Sequence, residues 1–274
     1  MQKFFALFLT LVLFPVFIHS QHEIISKGND IYLVPRDIPH TETFIFLHGV
    51  ALSAQLMLDL YFTSKHTTWA RSSTKVVLLA ASPSPFSVWD NVVVNSWFDI
   101  YTFNNNSEEE LLYAINLNDI ETNSLRIKEV MREEINVLGG ESTKLFIGGF
   151  SQGCILSLYC GLTFEQTIGG IIGLSGFLLP NIEENEQSSK TSIFLFHGKE
   201  DELFNFELVA KIYEERLDHN THKIEKFYSN KGTHYVSLMA KLKTRDRFYR
   251  HTSSSEIIKP LIFISFILSF ILCV

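Results

Sequence analysis

The sequence predicts an α/β fold with a mostly parallel, doubly wound sheet flanked by helices, and three observations carry that expectation. Short runs rich in β-branched and aromatic residues recur along the chain, apolar at nearly every position, as strands covered on both faces must be. Longer segments between them place apolar residues at helical spacing. The two kinds alternate, which fits strand–helix–strand units.

In order, residues 43–47 (Thr-Phe-Ile-Phe-Leu) and 75–79 (Lys-Val-Val-Leu-Leu) read as strands buried on both faces. Residues 121–138 read as a helix, with Leu125, Val130, Met131, Ile135 and Leu138 among charges and a stop at Gly139-Gly140. A strand over 145–150 follows, and Cys154 to Tyr159 resumes helical spacing. Strands are then expected at 168–174 and 192–196, a helix at 207–217 with Leu208, Ile212 and Leu217 facing inward, and a last strand at 223–228.

The two ends differ from this body. In residues 1–20, Lys3 precedes an apolar run over 4–18 and Ser20 offers a small residue for cleavage, the pattern of a secretory signal peptide. Residues 253–274 carry Ser253-Ser254-Ser255 and then an apolar block to the end, the pattern of a GPI-type attachment signal or a membrane anchor. Residues 21–252 remain as one domain, expected in the secretory pathway, secreted or anchored at the cell surface. The sequon Asn105-Asn106-Ser107 makes Asn105 a glycosylation acceptor. A net charge of −7 and the lack of any Lys/Arg-rich run argue against a nucleic-acid partner. Cys154 and Cys160 lie on different faces of one helix, so buried free thiols are expected rather than a disulfide, and no Cys/His spacing suggests zinc.

The chemistry centres on Gly149-Phe150-Ser151-Gln152-Gly153. A G-x-S-x-G pattern between a strand and a helix is the context of a nucleophile elbow, in which a tight turn holds the serine in strained geometry. Serine is a weak nucleophile at neutral pH and needs a base, itself oriented by a third group. The expected chain order is serine, acid, histidine. Asp201, on the loop after the 192–196 strand, is the expected acid, with Glu200 and Glu202 as neighbouring alternatives. His234, after the last strand, is the expected base. His197 sits at a strand end beside the acid and reads as structural; His219 and His222 read as exposed. Ser175 lacks the second glycine and is a poor rival to Ser151. An oxyanion needs preorganised donors, for which the backbone N–H groups of Gln152 and of Val50, after Leu47-His48-Gly49, are candidates.

These pieces resemble the acyl-protein thioesterase and phospholipase/carboxylesterase family of α/β-hydrolases. The resemblance rests on Leu47-His48-Gly49, Ser96-Trp97-Phe98-Asp99-Ile100, the elbow from Gly148 to Gly153, His197-Gly198 with Asp201, and Gly232 to His234, and it covers most of the body. It implies a Ser151–Asp201–His234 triad, an oxyanion hole from Val50 and Gln152, and cleavage of acyl esters or thioesters of lipids or acylated proteins without metal or cofactor. Trp97 and Phe98 are candidates to line the acyl site, with ordinary core aromatics as the other reading. Two departures stand out: Val50-Ala51 replaces the family's usual Gly-Asp, and Glu202 replaces the proline that commonly follows the acid. Family members are also typically cytosolic. A non-catalytic surface binding protein on the same fold is the alternative, and the altered loop is its motive. The apolar tail would supply membrane attachment.

Overall fold

In the computed structural model, residues 22–62, 71–104, 106–217 and 222–235 are described. The 1–20 and 253–274 segments, Asn105 and His219 lie outside the described residues. The strands are β1 (His22–Lys27), β2 (Asp30–Pro35), β3 (Glu42–Leu47), β4 (Thr74–Leu79), β5 (Pro83–Phe86), β6 (Val92–Asn95), β7 (Leu145–Phe150), β8 (Gly170–Leu174), β9 (Ser192–Gly198) and β10 (Ile224–Ser229). The helices are α1 (Ala54–Met57), α2 (Glu108–Tyr113), α3 (Leu117–Val137), α4 (Gln152–Leu162) and α5 (Phe206–Arg216).

An eight-stranded sheet runs in the order β1-β2-β4-β3-β7-β8-β9-β10. From β4 to β10 every pairing is parallel, whereas β1 and β2 form an antiparallel edge that pairs antiparallel with β4. The continuously apolar strands divide their side chains by the two-residue repeat. On β3, Ile45 and Leu47 join one core cluster and Phe44 and Phe46 the other. The first cluster receives α3, α4 and α5 through Ile127, Met131, Ile155, Leu158 and Ile212; the second receives Ala54, Met57 and Phe62. Each such side chain contributes about 1.5–3 kcal/mol by leaving water, so a strand apolar on both faces is held only where both are covered. The doubly wound, mostly parallel sheet expected from the sequence is therefore the fold observed.

The differences are local. β1 and β2 and the small β5–β6 ribbon were not expected. The helix expected at 121–138 starts earlier, at Leu117, because the Asn116 side chain accepts from the Asn118 and Asp119 N–H groups and caps it. His222, expected to be exposed, is 3% exposed: its ring nitrogens lie 2.9 Å from the Thr191 carbonyl and 2.8 Å from Glu184 Oε2. Cys154 and Cys160 are buried free thiols, each with its pKa pushed up to about 12 by burial.

Candidate active site

The site forms where β3, β7, β8, β9 and β10 end, since parallel strands put all their following loops on one edge of the sheet. Ser151 lies between β7 and α4, at φ 55° and ψ −117°, a left-handed conformation that costs a non-glycine residue about 1–3 kcal/mol. The surrounding contacts hold it there. Its N–H donates to the Leu174 carbonyl at 2.9 Å, and its own carbonyl accepts from Cys154 and Ile155 in the first turn of α4. The flanking glycines are required by space. A Cβ on Gly149 would lie 2.4 Å from the Gly153 backbone, and one on Gly153 would lie 2.2 Å from the Leu47 carbonyl oxygen.

Around Ser151 the structure brings two more side chains into one line. His234 Nε2 lies 3.0 Å from Ser151 Oγ, and His234 Nδ1 lies 2.9 Å and 3.2 Å from the Asp201 carboxylate oxygens. The His234 ring is buried between Phe150, at 5.2 Å, and the edge-to-face ring of Phe204, at 5.4 Å. Its N–H donates to Glu202 Oε2, so the residue standing where proline is usual fixes the histidine backbone. The two loops are stitched together: Lys199 N–H donates to the Ser229 carbonyl and Glu200 N–H to the Gly232 carbonyl.

Asp201 accepts from the Leu203 and Phe204 N–H groups, both at 2.9 Å. His197 Nε2 is 3.1 Å from Asp201 Oδ2, off the line of a true hydrogen bond, and neither ring nitrogen of His197 has such a partner among the described residues. Burial acts to raise the Asp201 pKa. The His197 and His234 imidazoles and the Phe204 N–H outweigh it and hold the carboxyl well below the usual carboxylate range. Ser175, also at positive φ, is buried with no partner for its hydroxyl among the described residues.

The N–H groups of Val50 and Gln152 have no hydrogen-bond partner among the described residues. Two devices fix the loop that carries Val50. Ala51, at φ 59°, donates its N–H to the Asn95 carbonyl, and Asn95 Nδ2 donates to the Leu52 carbonyl. His48 is fully buried, with Nδ1 at 2.7 Å from the Gly49 carbonyl and Nε2 accepting from the Ala81 N–H. Burial lowers its pKa, against the smaller opposing effect of the Gly49 carbonyl, so the ring is neutral.

Trp97 and Phe98, for which the sequence left lining of the acyl site and an ordinary core role both open, are buried in the core, 0% and 1% exposed. Trp97 donates its indole N–H to the His48 carbonyl at 2.8 Å. The Gln152 side chain, a role the sequence did not disclose, grips the same segment: its Oε1 accepts from Trp97 N–H and its Nε2 donates to Ser96 Oγ and the Phe98 carbonyl. A small apolar cavity lies next to this cluster, walled by Ile100, Phe103, Leu111, Ile155, Phe177 and Phe204. Among the described residues, no group of three His, Cys, Asp or Glu side chains could hold a metal ion.

A sheet of this order with a serine on its strand-to-helix elbow defines an α/β-hydrolase. The profile of the phospholipase/carboxylesterase family matches residues 29–244, and the chain belongs to that family, one of ester- and thioester-cleaving hydrolases. Acyl-protein thioesterase 1 of Schizosaccharomyces pombe is 35% identical over 157 residues, which are 56% of this chain and 63% of that one. The Yarrowia lipolytica acyl-protein thioesterase 1 is 29% identical over 184 residues, covering 64% of this chain and 75% of its own. Among solved structures, Arabidopsis thaliana SOBER1 superposes with a TM-score of 0.66 at 22% identity, over 77% of this chain and 99% of its own. Zea mays acyl-protein thioesterase 2 gives 0.62 at 18% identity, over 82% and 99%. At these identities the two structures speak for the fold alone.

The expected placement in the secretory pathway is corrected by these comparisons: the relatives are fungal acyl-protein thioesterases, of a family whose members are typically cytosolic. Among the described residues, no helix is long and apolar enough to cross a membrane.

Proposed function

We propose that the chain is a serine hydrolase that cleaves acyl esters or thioesters, of lipids or of acylated proteins, through an acyl-enzyme. The observation that carries this reading is the line from Ser151 Oγ through His234 to the Asp201 carboxylate, with both gaps at hydrogen-bond distance. Ser151 Oγ attacks the acyl carbonyl while His234 Nε2 takes its proton. The oxyanion is held by the N–H groups of Val50 and Gln152, the latter at the positive end of α4. His234 then protonates the leaving alcohol or thiol, and Asp201 stabilises the imidazolium. Water, deprotonated by His234, releases the acid and restores Ser151. The substrate class is supported by the acyl-protein thioesterase names of the relatives.

A fluorophosphonate probe tests the reading. Wild type is expected to label at one serine, and Ser151→Ala to lose both labelling and esterase activity. Labelling that persists in Ser151→Ala would sink the assignment.

A further inference from the structure

We infer that His197 is a positioning residue of the reaction: from the end of β9 it faces the remaining acceptor site of the Asp201 carboxylate and keeps that group aimed at His234. The inference rests on the serine hydrolase reading above and adds a side chain that works behind the acid. Oδ1 of Asp201 accepts the Leu203 and Phe204 N–H groups, both at 2.9 Å, which occupies its two lone pairs. Oδ2 is the oxygen nearer to His234 Nδ1, at 2.9 Å against 3.2 Å for Oδ1. One lone pair of Oδ2 remains. His197 Nε2 lies 3.1 Å from that oxygen, and neither side chain is exposed to solvent.

The backbone under His197 is fixed. Its strand is paired on both sides, by β8 and by β10, where Tyr228 stands opposite it. The next residue, Gly198, is packed so closely that a Cβ there would stand 2.2 Å from the Gly232 carbonyl oxygen. The imidazole itself lies 6.2 Å from the Phe206 ring. Neither of its nitrogens has a hydrogen-bond partner among the described residues, and a buried N–H left unpaired is costly. A turn of the ring about Cβ–Cγ brings Nε2–H onto the line to Oδ2. The tautomer follows from the same distance: with Nε2 bare, two acceptors would face each other at 3.1 Å. Held at Oδ1 alone, the carboxylate can swing Oδ2 off His234. Gripped at Oδ2 as well, it keeps the imidazole oriented to take the Ser151 proton. The hydrogen stays on Nε2 throughout, so His197 transfers nothing and acts only through Asp201.

The test is p-nitrophenyl butyrate hydrolysis by wild type, His197→Phe, His197→Gln, Asp201→Asn and the double variant His197→Phe/Asp201→Asn, with thermal melting as the control for folding. Phenylalanine keeps a ring against Phe206 and removes the donor; glutamine returns an N–H close to the place of Nε2. His197→Phe is expected to lower kcat about tenfold with KM little changed, and His197→Gln to stay within about threefold of wild type. In the Asp201→Asn background, His197→Phe is expected to change kcat by less than about twofold, since a residue acting through the carboxylate has nothing left to position. Three outcomes overturn the inference: a folded His197→Phe with wild-type kcat, a loss that persists in full in Asp201→Asn, or a His197→Gln as slow as His197→Phe. Any of them leaves the hydrolase reading standing if wild type is active and Ser151→Ala is not. Wild type that neither labels with fluorophosphonate nor cleaves the ester overturns both. If His197→Phe does not fold, His197→Met, which also lacks a donor, takes its place under the same expectations.

Discussion

Ser151 is held at φ 55° by its neighbours, and the two glycines nearest the approach of β3 differ in how far they could be replaced. A methyl on Gly153 would stand 2.2 Å from the Leu47 carbonyl oxygen, a backbone atom of the central sheet that cannot move aside alone. Gly153→Ala is therefore expected to cost about 3 kcal/mol and to abolish probe labelling. A methyl on Gly49 would stand 3.0 Å from the Phe150 ring and 3.1 Å from Ser151 Cβ. The ring can tilt, so Gly49→Ala is expected to cost only about 1 kcal/mol, and it shifts Ser151 against His234. Urea denaturation and labelling rates of the two variants, side by side, check the contrast. Equal stability losses would show that the sheet yields as easily as a ring. Asp201→Asn should leave the fold intact and lower kcat by about 10³–10⁴, since an amide neither stabilises the imidazolium nor enforces the productive tautomer; steady-state kinetics on p-nitrophenyl butyrate decide it.

The element that ties the site together is α4, through one side chain at its first position. Gln152 makes hydrogen bonds to Ser96, Trp97 and Phe98, and Trp97 in turn holds the His48 carbonyl, one link from the Val50 N–H. Gln152→Leu would leave the Trp97 N–H and the Phe98 carbonyl buried with that partner gone. The expected cost is about 2–3 kcal/mol, or a fall in melting temperature of about 5–10 °C, with esterase activity falling further than stability alone explains. Calorimetry with activity measured well below the transition separates the two effects. The motif Ser-Trp-Phe-Asp was visible in the sequence, but its work was not: spacing alone cannot tell an aromatic that faces a ligand from one that braces a loop. The central strands were legible because burial on both faces leaves continuous apolar runs. β1, with Ile24 and Ile25 exposed at the sheet edge, leaves no such run. The β5–β6 ribbon contains Pro83 and Pro85, residues that argue against a strand, and exposes Val92 and Val93. His222 was misjudged because its polar sequence neighbours gave no hint that Glu184 and the Thr191 carbonyl close over it.

At the scale of the whole molecule, the residues of the site come from loops far apart in sequence that the parallel order places on one edge, so order along the chain was enough to nominate Ser151, Asp201 and His234. The cavity was not legible, because Phe103, Phe177 and Phe204 meet only through the fold. The assembly also makes stability depend on acid in a defined way. His48 has a lowered pKa in the folded state, so its contribution is present above the unfolded value of about 6.5 and is lost as pH falls below it. Asp201 is likewise depressed, from an unfolded value of about 3.9, so its contribution is present above about pH 4 and is lost as pH falls toward its folded pKa. Both effects weaken the fold in acid, the His48 effect setting in at higher pH than the Asp201 effect. Comparing wild type with Asp201→Asn isolates the second, because His48 is common to both proteins and cancels. The stability gap between them, from urea unfolding, is expected to shrink by on the order of 1 kcal/mol between pH 4.5 and pH 3. A gap that stays constant over that interval would mean that the Asp201 carboxylate is not held ionised by His197 and His234.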